Sequence, residues 1–184
     1  MSGASGGGWF TLCAAMIAAL WGAFIAPNCL AQGERDLAAL GIRRLEGKHI
    51  ELFTDLPSSP EVDELPAVFD AAVPQLEAYF SLPPKKLDSW RVRASVLRKE
   101  NAETFHRAGL LPRDLPPFLH GFARGRDLWV YEQPSDYYRR HLLLHEGVHA
   151  LMAEYLGGMG PPWYAEGMAE LLATHHWNDN KLTL

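Results

Sequence analysis

The run His141-Leu-Leu-Leu-His145-Glu146-Gly-Val-His149-Ala limits the possible folds of this chain more than any other segment. On an α-helix, His145 and His149 lie one turn apart and point in the same direction. Two imidazoles in that arrangement can bind one zinc ion through ring nitrogens at roughly 2.0–2.1 Å. Glu146 follows the first histidine, and its carboxylate can take a proton from a water at the metal. The run therefore predicts a helix built around a metal site.

The residues that flank this motif are apolar, which predicts a buried helix. They are Leu142 to Leu144, Val148, Leu151, Met152 and Tyr155. A charged glutamate and three histidines inside such a helix are costly unless a partner satisfies them. The alternative is a solvated helix that carries the motif by chance, and the apolar flanks argue against it.

A third ligand is needed, because catalytic zinc sites use three protein ligands and keep one position open. Sixteen residues separate His149 from Glu166. Within that spacer, Gly157-Gly158 is typical of a helix end and Pro162 of a helix start. The sequence therefore predicts a helix–turn–helix hairpin that brings Glu166 back to the two histidines.

Glu170 lies one turn beyond Glu166 on the second predicted helix. From there its carboxylate can orient His145 or His149 through the ring nitrogen that does not bind metal. An exposed helical face is the alternative interpretation of both glutamates.

The motif H-E-x-x-H followed by P-x-W-x-x-E-G-x-A-E resembles the gluzincin metallopeptidases, in particular aminopeptidase-N-like and peptidase MA-like proteins. The resemblance covers about fifty residues, roughly 121–171. It implies a zincin-like fold, zinc bound by His145, His149 and Glu166, and Glu146 as general base. The spacer is shorter than in the aminopeptidases, so the resemblance extends to the broader superfamily only. The third histidine of the metzincins is absent.

Apolar patterning outside the motif predicts a mixed α+β domain. Strands are expected at 49–53, 90–97 and 127–131, and a short helix at 99–108. Apolar residues from Val62 to Phe80 repeat at helical spacing, and Pro74 is expected to kink or divide that helix. Together these elements predict a small mixed sheet packed against the motif helix, which is followed by a second helix carrying the third ligand.

The amino-terminal residues predict export. Residues 1–31 lack Lys, Arg, Asp and Glu, and residues 9–26 are apolar. We expect a signal peptide cleaved after Ala31 and a secreted or periplasmic protein, with a polar lead-in at 32–48 and the metallopeptidase domain at 49–184. The alternative is an uncleaved membrane anchor at 9–26, since about eighteen apolar residues is borderline for a bilayer span. Amino-terminal sequencing distinguishes the two, because cleavage leaves Gln32 first.

Cysteine content and charge narrow the function further. Cys13 and Cys29 both lie in the segment expected to be removed, so neither a disulfide nor a thiolate is expected in the mature chain. The net charge of -5 argues against nucleic acid as a partner. A peptide or protein substrate is expected, and contact with a membrane only if the amino-terminal segment stays uncleaved.

Three further groups invite a functional interpretation. His141 continues the histidine row by one turn, either as a ligand of a rearranged site or as a helix-start histidine. His175-His176 could stabilise an oxyanion or sit at an exposed helix end. Gly121-Phe122-Ala123 falls where gluzincin-like enzymes have a substrate-binding edge strand, and a turn explains it equally well.

The combined expectation is a secreted zinc peptidase that uses Glu146 as general base. The alternatives are a zinc hydrolase acting on another bond, an inactive zinc-binding domain and a scaffold without metal. The chain ends eighteen residues after Glu166, where gluzincin-like enzymes generally continue with a helical subdomain. A fragment, a truncated product and a minimal form are all compatible with that end.

Overall fold

A computed structural model of the chain describes residues 36–184. The expected signal peptide, the alternative anchor at 9–26 and the start of the lead-in lie outside these residues. The first described element is a helical turn at 36–39. Within residues 36–184, none of the helices combines the length and apolar character needed to cross a bilayer.

The centre of the fold is a mixed five-stranded sheet. Its strands are β1 (Arg43–Glu46), β2 (Ile50–Thr54), β3 (Val92–Leu97), β4 (Gly121–Arg124) and β5 (Asp127–Tyr131). They are arranged in the order β1-β2-β3-β5-β4. The three inner strands are parallel, whereas β1 and β4 run antiparallel at the two edges. The inner strands are rich in apolar residues because both of their faces are covered. β1 lies inside the segment that sequence patterning marked as a polar lead-in.

Helices and a short hairpin complete the domain. The helices are α1 (Pro60–Asp63), α2 (Leu65–Tyr79), α3 (Ala102–Arg107), α4 (Asp136–Tyr155) and α5 (Pro162–Ala173), with a 3-10 turn at Lys99–Asn101. Near the carboxyl end, β6 (His176–Asn178) and β7 (Lys181–Thr183) pair antiparallel. The predicted α+β class, with a small mixed sheet and helices, is confirmed.

Two apolar clusters cover the two faces of the sheet. Successive strand residues point to opposite faces, so Leu128 joins the larger cluster and Trp129 the smaller one. The larger cluster contains the buried sides of α2, α4 and α5. The smaller one is formed by Ile42, Phe53, Leu97, Phe105, Leu110, Leu111 and Trp129. The motif helix α4 therefore packs directly on the sheet.

Pro74 does not divide its helix. α2 runs without interruption from Leu65 to Tyr79, and the break in the helical segment falls earlier, at Glu64 between α1 and α2. Proline removes one backbone hydrogen bond and crowds the preceding turn. Seven buried residues of α2 offset that cost by packing against the sheet.

The hairpin between α4 and α5 has the expected helix ends. Ser135 caps α4, its hydroxyl accepting a hydrogen bond from the Tyr138 amide at 3.3 Å. Gly157 follows the last turn with φ +71°, a left-handed conformation that favours glycine. Pro162 occupies the first turn of α5, where its missing N–H is not needed. The chain thus reverses and lays α5 against α4.

Candidate metal site and cleft

Three side chains predicted as metal ligands converge on one point. His145 Nε2 and His149 Nε2, one turn apart on α4, are 3.1 Å from each other. Glu166 reaches across from α5, with one oxygen 3.3 Å from His145 Nε2 and the other 3.5 Å from His149 Nε2. The hairpin therefore brings the sequence-predicted set together.

The size and chemistry of this triangle fit a tetrahedral zinc ion. Bonds of roughly 2.0–2.2 Å at tetrahedral angles separate neighbouring ligand atoms by about 3.3 Å. The two histidine nitrogens are 3.1 Å apart, and each lies 3.3 or 3.5 Å from a different oxygen of the Glu166 carboxylate, so all three spacings lie around that value. Two imidazoles and a carboxylate are also a ligand set that catalytic zinc uses. His145, His149 and Glu166 are accordingly a group able to hold a metal ion.

The electrostatics of His145 favour the ring form that binds metal. Burial lowers the pKa of His145, and the neighbouring charge of His149 lowers it further. A neutral imidazole keeps the lone pair that a metal requires. Neither His145 Nδ1 nor His149 Nδ1 makes a hydrogen bond within the part of the chain that the structure describes, although both atoms are buried.

Glu170 lies beside only one of these two nitrogens. Its Oε1 is 3.4 Å from His145 Nδ1, and its Oε2 is 3.1 Å from His141 Nε2. The carboxylate thus faces His145, one of the two histidines that the sequence offered as its partner. His141, His145 and Glu170 form a second group whose atoms are close enough to hold a metal.

Glu146 is buried beside this triangle without a partner. Within residues 36–184, no side chain or backbone group donates a hydrogen bond to its carboxylate and no cation pairs with it. Burial raises the pKa of Glu146 to about 8, and the charge of Glu166 contributes in the same direction. A raised pKa and a cleft position are features of a group that exchanges protons.

These side chains line a cleft of about 560 Å³. The carboxylates of Glu146, Glu166 and Glu170 face it together with His145 and His149. Its remaining wall is mostly apolar and comes from α4, the α4–α5 turn, the start of α5 and the segment around β4. The apolar residues are Leu119, Phe122, Ala123, Leu142, Ala150, Ala153, Met159, Pro162 and Ala165. A mostly apolar cleft with a few convergent polar groups is the usual form of a ligand site.

The segment Gly121-Phe122-Ala123 forms an edge strand and not a turn. Among residues 36–184, β4 pairs with β5 on one side and with no strand on the other. The Tyr131 amide donates to the His120 carbonyl at 2.8 Å, which fixes the alternation of the antiparallel ladder. The main-chain groups of Gly121 and Ala123 therefore point away from β5, toward the open edge of the sheet.

Gly121 is in contact with Glu146. A Cβ added at Gly121 would lie 2.9 Å from Glu146 Cδ, closer than carbon atoms approach without displacement. The side chain of Glu146 thus occupies space that only a glycine leaves free. Sequence patterning did not reveal this role, since the two residues are far apart in the chain.

His175 and His176 have different surroundings. His175 is buried, and its Nε2 accepts a hydrogen bond from Arg140 Nε at 3.3 Å while its Nδ1 donates to the Ala173 carbonyl at 2.8 Å. Burial lowers the pKa of His175. His176 is exposed at the start of β6. Neither of them is among the residues that line the cleft.

The raised pKa of Glu146 leads to a prediction for the metal-free protein. The folded chain keeps the proton up to about pH 8, whereas the unfolded chain releases it near 4.5. Because the native state binds more protons in that window, its free energy of unfolding should fall as pH rises, by up to about 1.4 kcal/mol per pH unit.

Glu146→Gln removes this titration. In the presence of a chelator, the difference in free energy of unfolding between Glu146→Gln and the wild type should be constant below about pH 4.5 and should shift in favour of the variant toward pH 8. Urea unfolding at several pH values measures the difference. Parallel stability curves for the two proteins would show that the Glu146 carboxyl is not desolvated in the fold.

Comparison with known proteins adds no relative: the chain matches no protein-family model, and neither curated proteins nor solved structures give a match.

Proposed function

We propose that this chain is a secreted zinc metallopeptidase of gluzincin type, built on a zincin-like domain. The observation that carries the proposal is the triangle formed by His145, His149 and Glu166, which opens into the cleft that also contains Glu146. The uncharged, apolar amino-terminal segment supports export of the protein.

In the proposed hydrolysis, the three ligands hold the metal and Glu146 transfers the proton. Zinc held by His145, His149 and Glu166 would act as a Lewis acid that polarises a substrate carbonyl and brings the pKa of a water near neutrality. Glu146 then accepts the proton from the attacking water and passes it to the leaving amine. A base is most effective when its pKa lies near the working pH, and burial raises the pKa of Glu146 toward that range.

Three features favour a catalytic site over a structural one. Structural zinc sites are usually closed by four protein ligands, whereas three residues converge here. The ligand atoms line an open cleft and do not lie inside the core. Within residues 36–184 the buried carboxylate of Glu146 has no hydrogen-bond or ion-pair partner, which costs stability, and a role in proton transfer accounts for its position beside the ligands.

The open edge of β4 supports a peptide as the substrate. Main-chain groups of Gly121 and Ala123 point toward that edge, and both residues line the cleft. An extended peptide can pair with such an edge by main-chain hydrogen bonds. A substrate strand added there would lie alongside the ligands and Glu146.

Peptide cleavage by the zinc-loaded protein tests the proposal. The purified protein is incubated with a mixed peptide library, products are identified by mass spectrometry, and bound zinc is measured on the same sample. Cleavage that a chelator stops and zinc restores is the expected result. Stoichiometric zinc without cleavage would favour an inactive or non-peptide-cleaving zinc domain, and absence of zinc would favour a scaffold without metal.

Gly121→Ala should lower peptide cleavage on the order of 10²-fold, because the new methyl group displaces the Glu146 carboxylate and a displacement of about 1 Å can cost that much. Bound zinc should remain, since none of the three ligands is touched. Gly167→Ala is the matched control: it makes the same change on α5, where the added carbon meets no described atom within 4 Å apart from its chain neighbours and the local helix backbone. Equal loss in both variants would contradict a specific contact with Glu146.

A further inference from the structure

We infer that His141 is a positioning residue that fixes the zinc ligand His145 by holding the carboxylate of Glu170 between them. The inference rests on the proposed zinc site and extends it by one residue. His141 binds no metal in this arrangement and acts on His145 only through Glu170.

One carboxylate joins the two imidazoles. Glu170 Oε2 is 3.1 Å from His141 Nε2, and Glu170 Oε1 is 3.4 Å from His145 Nδ1. The nitrogen of His145 that faces Glu170 is the one opposite to the metal-binding Nε2. Hydrogen bonding at that nitrogen sets the orientation and tautomer of a metal-binding histidine.

Helical geometry explains why the contact exists. His141 and His145 lie one turn apart on α4, and Glu166 and Glu170 lie one turn apart on α5. The helices pack so that His145 meets Glu166 at the ligand triangle. One turn away, His141 meets Glu170 in the same manner.

Glu170 needs an anchor because its side chain is 65% exposed. Among the described residues, its carboxylate has only the two imidazoles as partners. A free glutamate on a helix surface samples several rotamers, and water competes for its oxygens. His145 Nδ1 is buried and makes no hydrogen bond among the described residues, and the Glu170 carboxylate lies 3.4 Å from it. Without the contact to His141, that carboxylate would be free to turn away from this nitrogen.

His141 is itself held firmly. Its Nδ1 lies 3.1 Å from the Ala173 carbonyl near the end of α5, and that oxygen also accepts from His175 Nδ1 at 2.8 Å. The ring of Tyr137 stacks against His141 with centroids 5.8 Å apart. The ring can donate to Ala173 and to Glu170 at the same time only with a proton on both nitrogens, and a ring so bonded can direct Glu170 in a way that a solvated side chain could not.

The test is the dissociation constant for zinc, measured by competition with a chromophoric chelator. His141→Ala should weaken zinc binding about tenfold, at the lower end of the range for residues outside the ligand shell. Glu170→Ala should weaken it at least as much. The double variant should be no weaker than Glu170→Ala, because the two residues act along one path.

Two conservative variants separate positioning from helix anchoring. The amide nitrogen of Gln lies near the place of His Nε2, so His141→Gln can still donate to Glu170 and should restore most of the affinity. The amide nitrogen of Asn lies near the place of His Nδ1, so His141→Asn keeps only the contact with Ala173 and should bind zinc as weakly as His141→Ala. His176→Ala, which removes an exposed neighbouring histidine, is the control.

The possible results are distinct. Failure of the wild type to bind zinc contradicts the proposed function itself. Wild-type zinc affinity in the His141→Ala variant would overturn the role of His141. Zinc affinity restored by His141→Asn but not by His141→Gln would overturn it as well. A second bound zinc that disappears in His141→Ala also overturns it, because His141, His145 and Glu170 would then be metal ligands. Far-ultraviolet circular dichroism of each metal-free variant shows whether the fold is retained.

Discussion

Glu146→Gln is expected to keep its zinc and to lose peptide hydrolysis by about 10²–10⁴-fold, the usual contribution of a positioned base. The amide has the shape of the carboxylate but cannot accept a proton from water. Because Glu146 is buried without an ion-pair partner among the described residues, the substitution breaks no salt bridge. Loss of activity can therefore be separated from loss of fold.

The measurement is the rate of peptide cleavage at matched zinc content. Glu154→Gln is the control, since Glu154 lies on the same helix but pairs with Arg126 on the surface. Glu146→Asp should also fail, on the order of 10²-fold, because the shorter side chain withdraws the carboxylate. Wild-type rates in Glu146→Gln would falsify the assignment of the base.

Removal of a ligand is expected to release the metal. His149→Ala, His145→Ala and Glu166→Ala should each weaken zinc binding by more than about 10²-fold, beyond the effect of residues that only support a ligand. Each substitution leaves two of the three converging groups. Activity should fall with zinc content.

Elemental analysis of purified variants checks this prediction, with one zinc per chain expected in the wild type. His176→Ala removes a histidine outside the triangle and should keep its zinc. Full zinc content in both His145→Ala and Glu166→Ala would show that the metal binds elsewhere.

Local patterns explain why the α4–α5 hairpin was predictable. Spacing of four residues puts His145 and His149 on one helix face, and glycine and proline mark the ends of the spacer. The convergence of Glu166 with the histidines follows from a short hairpin. The ligand triangle is therefore the part of the site closest to the sequence expectation.

Contacts between distant elements were not predictable in this way. β1 and β4 are only four residues long, too short for a clear period. The contact between Gly121 and Glu146 depends on how the sheet packs on α4. The burial of His175 depends on how the segment after α5 packs against α4, where Arg140 Nε donates to His175 Nε2. The contact of His141 with Glu170 depends on the register between two helices, which spacing within one helix does not define.

The shortness of β4 also bears on self-association. An unpaired strand edge can template the addition of a strand from another copy of the protein, which leads to aggregation. β4 ends after four residues at the turn containing Gly125, and Arg124 places a charge on it. Such an edge is long enough for a peptide to pair with the main chain of Gly121 and Ala123. It offers a strand from a second copy of the protein little length along which to extend the sheet. The shortness of β4 thus allows an open edge with little tendency to form fibres.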